Sequence, residues 1–194
     1  MECKFNGGSG ETDMDVRLAS QVIPKKGSFK YLGSVIHGDG EIDEDVMHGI
    51  RVGWMKWRLT SSILCDKKVP LELKGKFYRA VARPTILYGA ECWPVKNSHI
   101  QKMKVAEMRM LRWMCGHTRL DKVRNEDIRV KVGMVPMEDK MGEARLRWFE
   151  HVRMMSLDAP VRRCERLALM GMRKGRIRPK KYWGEVIRQD MRWV

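Results

Sequence analysis

The sequence has little of what marks several large protein classes. No apolar run approaches the about 20 residues that a membrane-crossing helix requires, and the start, Met1-Glu2-Cys3-Lys4, lacks the apolar core of a secretory leader. A soluble, unexported chain with no membrane partner is expected. The five cysteines, Cys3, Cys65, Cys92, Cys115 and Cys164, are odd in number and lie tens of residues apart. That spacing excludes a dense disulfide framework and any C-x-x-C redox or zinc pair, so a reducing, intracellular compartment, nucleus or cytoplasm, is expected. Proline (7) and glycine (17) are few enough, beside 43% apolar residues, to exclude a chain disordered throughout.

Catalytic constellations are missing as well. A two-metal polymerase or nuclease needs converging carboxylates, and no aromatic-x-Asp-Asp turn occurs. The acidic clusters are Asp13-Met14-Asp15 and Asp39 to Asp45. The second lacks the glycine that a calcium loop needs at its sixth position and reads as a solvated helix start. Gly75-Lys76 has no glycine five residues earlier and is not a phosphate loop. Cys115 and His117 lack the two further ligands of a zinc knuckle and read as one buried and one capping residue at a helix end. His37, His48, His99 and His151 have no partners nearby in sequence, so surface or boundary positions are expected. No cofactor is expected.

What the chain does have is positive charge. It holds 39 Lys/Arg against 24 Asp/Glu in 194 residues, net +15, unevenly spread. Residues 1–50 carry five basic against nine acidic groups, net −4, and the remainder carries 34 against 15, net +19. An excess of that size points to a polyanionic partner for the later part.

Patterning predicts an α+β fold, predominantly α. Alternation from Val16 to Val22, a turn at Pro24 to Gly27 and the β-branched, aromatic stretch Phe29 to Ile36 predict a hairpin, with Lys4 and Phe5 as a third strand before a Gly-rich loop. Ile42, Val46, Ile50, Trp54 and Trp57 then recur at helical spacing behind an acidic first turn. Pro70 opens a helix from Leu71 to Val81, and Pro84 kinks or stops it. Ser98 with Gln101 makes a capping-box pattern before a helix ended by Gly116. Asn125 caps a short helix to Val132 before Gly133, a longer one follows Pro136, and a last one runs from Tyr182 to Trp193. Six helices result. Met103, Met110, Met114, Met141 and Met155 fall on their apolar faces and read as core.

The basic residues supply the candidate site. Lys76, Arg79 and Arg83, at intervals of three and four, would share one helical face. Arg112 adjoins Trp113, Arg145 and Arg147 flank Trp148, and Arg176, Arg178, Lys180 and Lys181 precede Tyr182 and Trp183. Cations interleaved with aromatics suit phosphate contact plus base stacking. For any single helix the plainer reading is preferred, in which the tryptophans are core and the cations solvated; only the summed charge favours a nucleic-acid surface.

In order, the words FKYLGSVI (29–36), VPLELKGKFYRAVARPTILYGAECW (69–93), KMKVAEMRMLRWMCG (102–116), TRLDKVRNEDI (118–128), EARLRWFEHVRMM (143–155) and DAPVRRCE (158–165) resemble the region downstream of the catalytic palm in reverse transcriptases of non-LTR (LINE-type) retrotransposons. The resemblance spans about residues 29–183. It implies a β remnant of the palm edge at 1–38, a helical thumb-like region at 39–120 and a basic helical extension at 121–194. It also implies non-specific template or primer binding of RNA, DNA or their hybrid. The family's Mg2+-binding aspartates have no counterpart here, so a truncated chain without polymerase activity of its own is expected. The family's Arg-Gly-Arg-Pro-Lys tail word appears with Ile177 in place of glycine, which disfavours a minor-groove hook and leaves phosphate contact. The alternatives are a domesticated helical protein-interaction module, a thumb that complements a separately encoded palm, and the product of a decayed retroelement with no selected function.

Overall fold

The computed structural model describes residues 17–18, 21–22, 26–38, 40–162 and 183–192. The expected strand at Lys4 and Phe5 and the basic tail Arg176, Arg178, Lys180 and Lys181 lie outside them. Among the described residues the chain is α+β and mostly α, with two small antiparallel hairpins ahead of eight α-helices. None of these helices is long and apolar enough to cross a membrane.

The β part departs from the predicted pairing. β1 (Arg17–Leu18) pairs with β2 (Gln21–Val22), and β3 (Ser28–Tyr31) pairs with β4 (Ser34–His37). The stretch Phe29 to Ile36 is therefore not one strand but two. It reverses at Leu32 and Gly33, whose φ angles are both positive, 47° and 93°. A two-residue loop with left-handed residues matches the twist of the strands it joins, and Gly33 supplies the conformation at little cost. Leu32, an exposed apolar residue where a turn residue such as Asn or Asp is usual, hides that turn from a pattern-based reading.

α1 (Asp43–Leu59) buries the predicted face, with Val46 and Trp57 in the core and Ile42, Ile50 and Trp54 packed against it. A short α2 (Ser61–Leu64) leads to α3 (Leu71–Val81), which Pro70 immediately precedes. Pro84 does stop that helix, and the chain restarts as a one-turn α4 (Arg83–Ile86). α1 and α4 cross closely because Gly53 faces Ile86: a Cβ there would lie 2.2 Å from Ile86 Cγ1. Gly75 does the same for α3 against α6, where a Cβ would meet the Val132 carbonyl oxygen at 2.0 Å.

α5 (Asn97–Met114) is the central helix and buries Met103, Met110, Leu111 and Met114. Its start is not the predicted Ser98–Gln101 box. Instead the Lys96 amide donates to His99 Nδ1 at 3.3 Å. Its end is as predicted: Gly116 is left-handed, and the His117 amide reaches back to the Arg112 carbonyl at 2.9 Å. Gly133 closes α6 (Asn125–Val132) in the same way, through the Met134 amide and the Arg129 carbonyl at 2.8 Å. The predicted cap Asn125 is already helical, and its side chain accepts a hydrogen bond from Arg112 instead.

α7 (Met137–Met154) carries α8 (Trp183–Asp190) on its flank, held by buried Val186 and Ile187 and by the Trp183 indole N–H, which donates to the Glu91 carbonyl at 2.7 Å. Methionines fill much of the core. Met103, Met110, Met114 and Met141 are buried as predicted, joined by Met108, Met134 and Met137, whereas Met155 sits half-buried just past α7. Each fully buried side chain of this size contributes about 1.5–3 kcal/mol of transfer free energy.

Candidate nucleic-acid interface

The predicted row Lys76, Arg79, Arg83 does not survive as one face. Because α3 ends at Val81, Arg83 restarts on α4 and turns inward. It is 5% exposed, with Nε 3.3 Å from Glu107 Oε1, and Nη2 donates to the Val135 carbonyl at 2.7 Å. Lys76 and Arg79 stay exposed, and Arg79 Nη1 reaches the Gly133 carbonyl at 3.4 Å.

Breaking the row builds a groove. Arg79, Arg83, Pro84 and Leu87 form one wall and Lys140, Glu143, Ala144 and Arg147 of α7 the other, around a volume of about 240 Å³. Three cations with exposed or half-exposed side chains therefore converge from two helices. Glu143 sits between two of them, in contact with Lys140 Nζ and 2.8 Å from Arg147 Nη2. The hydrogen bond and charge of Lys140 hold the Glu143 carboxyl below the usual carboxylate range. Surface pairs of this kind cost little to open, so Lys140 and Arg147 can exchange Glu143 for a phosphate oxygen. Sequence reasoning missed Lys140. Its signal was present, since Lys140 and Arg147 are seven residues apart on one helix and so share a face.

Other predicted contacts are internal. Arg145 is 4% exposed and forms a bidentate pair with Asp190, at 2.6 Å from Nε and 2.9 Å from Nη2. It anchors α8 rather than meeting solvent. Arg112 is half-buried, and its Nη2 donates to the Val123 carbonyl at 3.0 Å and to Asn125 Oδ1 at 2.6 Å, which ties down the loop after α5. Arg83, Arg112 and Arg145 are thus engaged by partners within the protein, and Arg83 also lines the groove. Arg147 is exposed as predicted.

The charges behind the groove wall are unusual. Glu107 is fully buried in the middle of α5, and burial raises its pKa from 4.5 to about 7 against the opposing pull of Arg83 and Arg129. Buried Tyr78 has its hydroxyl pKa raised well above 10 by the same desolvation, with Glu107 adding to it. His99 is also fully buried, not at the surface as expected, with Nε2 3.2 Å from Asp43 Oδ2. Lys102 Nζ holds the other Asp43 oxygen at 2.9 Å, and these two partners lower the Asp43 pKa. The acidic start of α1 is therefore no plain solvated turn. Asp45, also in that turn, is buried and accepts the Val35 amide at 2.9 Å and the Trp93 indole N–H at 2.9 Å.

Among the described residues no cluster of three His, Cys, Asp or Glu has the arrangement to hold a metal ion. No protein-family model, curated protein or solved structure matches the chain.

Proposed function

We propose that this chain is a helical nucleic-acid-binding module derived from the thumb-side region of a non-LTR reverse transcriptase, and that it holds RNA, DNA or their hybrid without sequence choice. The observation that carries the reading is the convergence of Arg79, Lys140 and Arg147 in one groove on a chain of net charge +15. Backbone phosphates are the ligand that such a groove suits: several cations, few directional acceptors and no enclosed pocket for a small molecule. The sequence words support the family origin. Polymerisation is not proposed, because the chain has no counterpart of the family's catalytic aspartates.

The test is fluorescence anisotropy with labelled RNA, DNA and hybrid duplexes across a salt series. Affinity is expected to fall steeply with salt and to differ little between sequences, because release of condensed counterions drives the binding. Salt-independent binding, or strong preference for one sequence, contradicts the reading. Primer extension with Mg2+ is expected to yield no product, and incorporation by the chain alone contradicts that part.

A second reading has its own support. Among the described residues β3 pairs with β4 alone, and Phe29, Tyr31 and Leu32 are exposed on that hairpin, which suits addition of a strand from a protein partner or a separately encoded palm. Co-purification that survives nuclease treatment favours it.

A further inference from the structure

The outer face of α1 has the chemistry of a second ligand site, one that neither the charge rows nor the groove includes. Arg51, Trp54, Met55, Arg58 and Leu59 line a depression of about 470 Å³, separate from the α3–α7 groove. Arg51 and Arg58 are seven residues apart, roughly 10 Å along the helix. Both are exposed, and no carboxylate pairs with either among the described residues. Between them lies Trp54, whose ring meets that of Trp113 edge-on at 5.7 Å, and Trp57 completes the trio at 5.6 and 5.4 Å. Trp57 is buried, but Trp113 remains 52% exposed. A large indole held by two others and still half open is a rigid platform with one side unused. Arg109, exposed one turn earlier on α5, adds a third cation on the side of Trp113.

We propose that this face binds an unpaired, single-stranded stretch of nucleic acid, with a base stacked on the exposed Trp113 indole and flanking phosphates on Arg51 and Arg58. The occupant follows from the combination. An acidic peptide would satisfy the arginines but leave the indole uncovered. A duplex would meet the arginines, yet its bases are already stacked and cannot cover a tryptophan. An unstacked strand does both, and aromatic platforms beside cations are the usual means of holding one without sequence preference. The inference rests on the nucleic-acid reading above but uses different residues: the groove takes backbone, and this face takes bases.

The experiment compares a labelled oligo(dT) with a blunt DNA duplex of the same length, on the full chain and three variants, at about 0.15 M salt, where screening acts over about 8 Å. R51E/R58E changes two exposed residues and is expected to weaken oligo(dT) binding by about tenfold or more, and duplex binding, which the groove holds, by a clearly smaller factor. W113L is expected to cost about tenfold for oligo(dT) and W113F much less, since a phenyl ring still stacks. Circular dichroism confirms folding of each. Oligo(dT) binding by R51E/R58E at wild-type strength overturns the proposal. So does an equal loss for single strand and duplex, or W113F behaving as W113L. Wild-type chain that binds duplex but not oligo(dT) overturns this inference and leaves the groove reading standing, whereas binding of neither overturns both.

Discussion

The Arg83 guanidinium stands between the inside and the outside of the protein: its Nε lies 3.3 Å from the fully buried Glu107 Oε1, while the same side chain lines the basic groove. Neither Glu107 oxygen makes a well-aligned hydrogen bond, and the Tyr78 hydroxyl behind it is also without one. The groove wall is thus backed by a buried ion pair that is held by charge and packing, a costly arrangement unless both partners remain.

That pair predicts a pH dependence of stability. The Glu107 pKa rises on folding from 4.5 to about 7, so in that window the native state binds more protons than the unfolded chain. Stability therefore falls as pH rises from 4.5 to about 7 and levels off above, by an amount on the order of 3 kcal/mol. Asp43 and Glu138, whose pKa values are lowered, act in the opposite sense and lose stabilising contacts below about pH 4. Urea unfolding across pH is expected to show a maximum near pH 5. Glu107→Gln is expected to flatten the upper limb, and Arg83→Ala to cost about 3 kcal/mol or more above about pH 7, where Glu107 would be left charged and unpaired, and less at pH 5, where it is protonated. An unchanged upper limb in Glu107→Gln contradicts the assignment.

Asp45 is predicted to hold the β3–β4 hairpin on the helices. It accepts the Val35 amide and the Trp93 indole N–H at once, so Asp45→Ala orphans two donors and is expected to cost about 2–4 kcal/mol. Asp45→Asn keeps one acceptor oxygen and is expected to lose about half as much. Hydrogen exchange at the Val35 amide reports it directly: protection is expected to drop in both variants before that of α5 does.

Two glycines make opposite forecasts about rescue. In Gly53→Ala the new methyl meets the Ile86 side chain, so the expected loss of about 1–3 kcal/mol is largely absent when the substitution is made in an Ile86→Ala background, and the double variant is less destabilised than the sum of the two single ones. In Gly75→Ala the obstacle is the Val132 carbonyl, which is backbone. No side-chain change is expected to rescue it, and thermal denaturation of the double and single variants distinguishes the two cases.

The helices and several of their ends were legible because periodicity and stop residues are local. The Val46–Trp57 face, the break at Pro84 and the left-handed Gly116 and Gly133 all follow from neighbours a few residues away. What was not legible depends on distant partners. Arg79 and Arg83 look alike in sequence; only the restart of the helix after Ala82 sends one to solvent and the other to Glu107. The acid start of α1 is explained by the helix dipole alone, so nothing signalled that Asp45 would meet Val35 and Trp93. Arg145 beside Trp148 resembled a phosphate contact until Asp190, 45 residues on, took both its nitrogens. Of the three groove cations, Arg79 and Arg147 were singled out by the sequence and Lys140 was not.

The most direct measurement is the salt slope of duplex binding for the wild-type chain beside R79A/K140A/R147A. Each lost phosphate contact removes about 0.9 from the slope of log affinity against log salt, so the groove variant is expected to bind weakly with a slope shallower by about 2 to 3. A control with the same charge change at exposed residues that do not line the groove, K67A/K68A/R119A, is expected to stay near the wild-type slope. Equal slopes for wild type and groove variant, or an equal change in the control, contradict the account.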